Sequence, residues 1–179
     1  LSDVRGNVDT RLRKLAEGQY DAIVLAAAGL RRLGLWDGST STFHLDEHTF
    51  TVLPLDPTLM LPAVAQGTLA IEARATDDET LALLAVLDHA PSRAAALAER
   101  AFLRRLEGGC QVPIAAHATF DGASLQLTGL VGSLDGSQVV RSSAQGDVTL
   151  AEALGTALAE DLLARGADAI LAELASHGH

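Results

Sequence analysis

The sequence predicts an α/β unit at the start of the chain, followed by a small α+β domain in which helices pack on a three-stranded antiparallel sheet. Three observations carry this. A helical stripe of Val8, Leu12 and Leu15 leads into the continuous apolar run Ala22-Ile23-Val24-Leu25-Ala26, the pattern of a helix feeding a strand covered on both faces. The composition changes near residue 75, where a new helix start falls. The Asp-Gly pairs Asp121-Gly122 and Asp135-Gly136 then divide three strand-like runs, the signal for two consecutive hairpins.

In chain order, Val4 ends a strand, Gly6 turns, and Asn7 caps a helix that Gly18 stops. After the apolar run at 22–26, residues Ala27 to Gly34 form a short helix leaving the carboxyl end of that strand, where ligands of open α/β sheets sit. From Trp36 to Pro62 the pattern weakens, with a polar loop at 38–42 and a short hairpin expected from the β-formers between Phe43 and Leu53. Gln66 to Ala73 reads as a glycine turn running into a strand. Thr76-Asp77-Asp78-Glu79 is a capping box for a helix that turns Leu81, Leu84 and Ala85 inward. The next helix runs from about Pro91 to Leu106, with Ala94, Leu97, Ala98, Ala101 and Phe102 on one face, and Gly108 and Gly109 end it. Beyond Cys110, Val112, Ile114, Ala116, Ala118 and Phe120 alternate along one face of a strand, and Pro113 suits an edge or a strand start. A helix from Leu150 to Ala164 carries Leu150, Leu154, Leu158 and Leu162 on one face, breaks at Gly166, and is followed by a last helix to about Ala175.

With 179 residues and 48% hydrophobic content, the chain has enough apolar surface for a packed core. A net charge of −10 argues against a nucleic-acid binder, because phosphate contacts need a basic face. No apolar run reaches membrane-spanning length, and the start carries no secretory pattern, so the expectation is a soluble, cytoplasmic protein with no membrane partner. The chain begins at Leu1, not Met, which suggests part of a longer protein.

The single cysteine, Cys110, follows Gly108-Gly109. Free cysteines are usually buried small hydrophobes, but two glycines beside the sulfur remove bulk and let a ligand approach. Arg104 and Arg105 would lower its pKa, whereas a helix C-terminus would oppose them. Arg5 precedes a helix start beside Gly6, Arg11 lies within that helix, and Arg32 leaves the next strand. Surface arginines are the plain reading. The alternative is an anion site, since guanidinium forks match carboxylates. His44 and His48 have half the spacing of a zinc site, with no third ligand motif following, so no metal site is expected. His117 is expected on the exposed strand face, although a cysteine and histidine pair would also suit a thiol nucleophile.

Five blocks in order carry a resemblance. They are Arg5-Gly6-Asn7-Val8-Asp9-Thr10-Arg11-Leu12, Asp21 through Gly34 with its Ala28-Gly29-Leu30-Arg31-Arg32-Leu33-Gly34 end, Leu61-Pro62-Ala63-Val64-Ala65-Gln66-Gly67, Ala98-Glu99-Arg100-Ala101-Phe102, and Leu106-Glu107-Gly108-Gly109-Cys110-Gln111-Val112-Pro113. Together they make the chain resemble the hydroxymethylbilane synthase, or porphobilinogen deaminase, family. The resemblance implies a three-domain enzyme, monomeric when full length, that joins porphobilinogen units with loss of ammonia into a linear tetrapyrrole of the porphyrin and heme pathway. It divides the chain into the remainder of a periplasmic-binding-protein-like second domain at 1–56, a strand at 57–75 returning toward a first domain, and a cofactor-bearing α+β domain at 76–179. It implies that Cys110 carries a dipyrromethane cofactor through a thioether. Arg5, Gly6, Arg11 and Arg32 would hold the cofactor's carboxylates, with Arg11 and Arg32 also meeting porphobilinogen and the growing pyrrole chain. The family's catalytic aspartate lies in the N-terminal portion, so no catalytic residue is expected within this chain and no turnover without that portion. A non-catalytic anion-binding module on the same fold is the alternative. One departure is Ala65, where the family's usual residue is glycine.

Overall fold

The computed structural model describes residues 2–106 and 112–177, and contains helices and antiparallel strands in two compact units, Leu1–Leu55 and Asp56–His179. Residues 56–75 cluster with the second unit.

The first unit holds α1 (Val8–Ala16), α2 (Ala27–Arg32) and a hairpin of β1 (Thr42–Leu45) and β2 (His48–Thr51). Asn7 caps α1 as expected, its side chain accepting from Thr10 N at 3.0 Å. The core is small and partly aromatic. Leu12, Leu30, Trp36, Phe43 and Phe50 are buried, Phe43 stacks on Phe50 at 5.1 Å, and Trp36 Nε1 donates to Thr40 O at 2.7 Å. The expected strand at 22–26 does not form. Ile23 and Leu25 lean on the core while Val24 is 61% exposed. A strand needs neighbours for its N–H and C=O groups, and none pairs with this run among the described residues. The same holds for the strand end expected at Val4, which is irregular. His44 and His48 lie on paired strands rather than a helix, with His44 opposite Thr49. Among the described residues no group of three or more His, Cys, Asp or Glu side chains is placed to hold a metal.

The second unit is built on β3 (Ile114–Phe120), β4 (Ser124–Gly132) and β5 (Val139–Asp147), an antiparallel meander in the order β3-β4-β5. Both Asp-Gly signals fall in its turns. Asp135 accepts from Ser133 Oγ, Ser137 N and Ser137 Oγ at 2.6, 3.0 and 2.8 Å, and these bonds hold its carboxyl down to about 2. One sheet face presents Ala116, Ala118, Leu125, Leu127 and Val131 to α4 (Ala90–Arg105) and α5 (Ala151–Leu162). Phe102, Leu158 and Leu162 complete that core, each at 2% exposure or less, and full burial of such a side chain contributes about 1.5–3 kcal/mol. A five-residue kink at Leu163–Ala167, with Gly166 at φ 104°, leads into α6 (Asp168–His177), where the sequence places a helix break.

Several boundaries and faces differ from expectation. Asp77, not Thr76, caps α3 (Asp78–Leu84) by accepting from Thr80 N, because its carboxylate reaches that N–H. Nothing in α3 is buried, with Leu81 40% and Leu83 69% exposed. Gln66 and Gly67 form the expected turn, but the strand expected after it does not form, and Leu69 is 83% and Ile71 57% exposed. Leu150 sits in a 3-10 turn ahead of α5 and is 60% exposed, so the buried stripe begins at Leu154. Ala65 has φ 56°. This left-handed conformation costs a residue with a Cβ about 1–2 kcal/mol, which is the physical content of the departure from glycine there. Ala65→Gly is expected to raise stability by up to about 1 kcal/mol, read as an upward shift in the urea midpoint at unchanged slope.

Candidate anion-binding site

The turn before α1 brings the first block of predicted residues together. Gly6 has φ 119°, and a Cβ there would come within 2.8 Å of Thr10 Cγ2, so both backbone and space require glycine. Arg11, one turn into α1, donates its Nε to Gly6 O at 2.8 Å, and Lys14 Nζ donates to Arg5 O at 3.1 Å. Two cations of the helix therefore fix the Arg5-Gly6 backbone. Arg5 itself is solvent-exposed, with one loose ion pair to Asp3 at 3.7 Å. Arg11 spends one N–H on Gly6 and, among the described residues, has no carboxylate within ion-pair distance. Its Nη groups remain available as a fork.

Arg32 closes α2 and is exposed, with no ion pair or hydrogen bond among the described residues. The start of α2 meets the start of α1 because Gly29 carries no side chain, since a Cβ there would lie 3.0 Å from Val8 Cγ2. That contact brings the two arginine-bearing blocks into one packed unit. Arg31, between them in type but not in role, lies over the Trp36 ring at 5.5 Å. A nearby depression of about 580 Å³ is lined by Asp9, Arg13, Glu17, Asp46, Glu47 and His48, and this mostly acidic wall does not suit an anion. Guanidinium groups on α1 and α2, at least partly exposed and without a carboxylate partner among the described residues, have the donor geometry that an anion such as a carboxylate or phosphate requires.

Cys110 lies outside the described residues, as does the rest of 107–111. Its two supports are described. On one side Leu106 is 4% exposed, and Arg104 and Arg105 pair with Glu152 and Glu160 of α5 at 3.3 and 2.6 Å. These ion pairs join the end of α4 to α5. On the other side Gly132 N donates to Pro113 O at 2.9 Å and anchors the start of β3. His117 projects from the outer face of β3 and is half-buried, with Nδ1 4.0 Å from Glu99 Oε1. His89 caps α4 through Ser92 N.

One residue escaped sequence reasoning. Glu99 is the buried charged side chain among the described residues, at 7% exposure. Its signal was present, as a carboxylate on the apolar stripe of α4 between Ala98 and Ala101.

The architecture comprises a first unit of two helices and an antiparallel hairpin with exposed arginines, and a second unit of helices on a three-stranded antiparallel sheet. Residues 1–82 match the family described as porphobilinogen deaminase, dipyromethane cofactor binding domain, and residues 94–164 match porphobilinogen deaminase, C-terminal domain. The relatives named porphobilinogen deaminase include one from Roseiflexus castenholzii, 55% identical over 96% of this chain and 52% of its own length. Others are from Brevibacillus brevis, 53% identical over 97% and 52%, and Gloeobacter violaceus, 51% identical over 97% and 50%. The chain belongs to the porphobilinogen deaminase, or hydroxymethylbilane synthase, family. It spans about half the length of the relatives it matches, 52% in the Roseiflexus castenholzii case.

Proposed function

We propose that this chain is the C-terminal portion of a hydroxymethylbilane synthase, a cytoplasmic transferase that is monomeric when full length. The enzyme joins four porphobilinogen units with loss of ammonia into the linear tetrapyrrole hydroxymethylbilane. The observation that carries the reading is the pair of matches to two domains of one family, in one order, at 1–82 and 94–164. The first unit is the remainder of a periplasmic-binding-protein-like domain. Residues 57–75 return toward a first domain, which accounts for the exposure of Leu69 and Ile71. That domain supplies the catalytic aspartate, so this chain alone has no turnover.

The residues present suit the dipyrromethane cofactor. Each of its pyrroles bears acetate and propionate carboxylates, and Arg5, Arg11 and Arg32 have guanidinium donors that no carboxylate except Asp3 engages among the described residues. Arg11 would hold a carboxylate through its Nη pair while its Nε stays on Gly6 O, and the Gly6 N–H would add a backbone donor. Cys110 would anchor the cofactor through a thioether. Once attached, the cofactor supplies the free pyrrole carbon to which the first porphobilinogen is joined. The arginines orient carboxylates and neutralise their charge, and they exchange no protons at working pH because guanidinium stays protonated.

Intact mass of the full-length protein tests the reading. An adduct of dipyrromethane mass on the Cys110 peptide is expected, whereas a free thiol in freshly isolated protein would indicate the non-catalytic anion-binding alternative. Arg11→Leu is expected to cost about 1.5–3 kcal/mol per charged hydrogen bond lost, seen as a rise in KM for porphobilinogen or as incomplete cofactor loading. Unchanged kinetics and loading would remove Arg11 from the site.

A further inference from the structure

Glu99 is buried on the inner side of α4, and its two oxygens face different pieces of chain. Oε2 accepts from Ala65 N at 2.6 Å, and Oε1 accepts from Ala118 N at 2.8 Å, 34 and 19 residues away in sequence. Ala118 lies on β3, an edge strand of the sheet, so its N–H is met by a carboxylate where a neighbouring strand would otherwise stand. Two residues before Ala65, Ala63 forms an antiparallel bridge with Ala115 of β3. The chain thus begins to add as a fourth strand at Ala63, then turns away at Ala65 through a left-handed residue. Glu99 takes up the N–H groups that this departure leaves on both sides. Immediately afterwards comes the exposed apolar run 66–73.

We infer that Glu99 is a positioning residue, an anionic latch that pins residues 63–65 to the edge of β3 and so fixes where the 66–73 run leaves the second unit. A carboxylate is required by the donor count. It has acceptor capacity on both oxygens, whereas the glutamine isostere has one acceptor and turns an N–H₂ donor toward a backbone N–H. The buried charge is met by the two N–H bonds and by the His117 imidazole at 4.0 Å. No Lys or Arg among the described residues lies within ion-pair distance of it, so backbone donors carry the latch. The latch does not depend on the chemistry proposed for Cys110.

Hydrogen exchange on the full-length protein tests this with Glu99→Gln, which keeps the shape, and Glu99→Ala, which does not. Exchange in peptides covering 62–73 and 117–119 is expected to rise at least tenfold in Glu99→Ala, and in at least one of the two in Glu99→Gln, while peptides of α5 and β4 stay within twofold of the parent. Glu99→Gln keeps one acceptor oxygen and so loses one of the two bonds without a change of shape, which separates anionic anchoring from packing. Parent-like exchange at both 62–73 and 117–119 in Glu99→Gln would overturn the latch. A uniform rise across α4, α5 and the sheet would also overturn it, by showing that Glu99 supports the core as a whole. Should Glu99→Ala fail to fold, the Gln variant alone decides.

Discussion

Cys110→Ser in the full-length enzyme is expected to abolish both the dipyrromethane adduct and turnover, with the fold intact. A thiol has an unperturbed pKa of about 8.5 and is an effective nucleophile toward carbon as its thiolate, while a serine hydroxyl is not ionised at neutral pH without a base beside it. The serine variant is therefore expected to remain without the adduct. The substitution leaves the residues on either side of 107–111 alone. Leu106 stays buried, the Arg104–Glu152 and Arg105–Glu160 pairs stay on α5, and Pro113 still accepts from Gly132. Stability should therefore change by less than about 0.5 kcal/mol, as for substitutions away from packed features. Intact mass and product absorbance read the two effects together. An adduct persisting on the Ser variant would place the anchor elsewhere, and turnover without an adduct would remove the primer from the proposed mechanism.

What the sequence made legible follows from how local each signal is. The α4 and α5 helices carry caps, stops and apolar stripes within their own residues, and the meander carries its Asp-Gly turns, so each is specified by a short window. The runs at 22–26 and 66–73 look like strands by composition, yet a strand exists only through its neighbours, and the described residues pair none with either. The α3 helix misled for a related reason, since Leu81, Leu84 and Ala85 mark an apolar face but cannot say what covers it, and none of them is buried. Thr76 and Asp77 are both cap formers, and only geometry decides between them. In the site, Arg5, Gly6 and Arg11 were legible because a helix start collects them within seven residues. Glu99 was not, because a glutamate on a helix is normally solvated and its partners, Ala65 and Ala118, donate through backbone that sequence patterns do not describe.

Gly155→Ala is expected to destabilise the protein by about 3 kcal/mol, and Gly155→Val to prevent folding of the second unit. In an exposed helix the same Gly→Ala change gains about 1 kcal/mol of helix propensity, so the expected sign is reversed by packing alone. A Cβ at 155 would overlap the carbonyl oxygen of Ala98 and lie 2.9 Å from Phe102 N and 3.0 Å from Ala101 Cβ. The first two are backbone atoms, which cannot rotate aside, so α4 and α5 must move apart. Phe102 blocks relief, because its ring already fills the space above Gly129, where a Cβ would come within 2.5 Å of Cζ. Overpacking of this kind costs about 1–3 kcal/mol, against a total stability of about 5–15 kcal/mol. Ala153→Gly, at an exposed position of the same helix, serves as the opposite case and should lose about 1 kcal/mol by propensity. Urea unfolding of the full-length protein measures both, and a stabilised Gly155→Ala variant would show that the helices are not in contact there. The consequence reaches the thiol. Arg104 and Arg105 pair the end of α4 with α5, so under the proposed attachment at Cys110 cofactor loading should fall in step with stability.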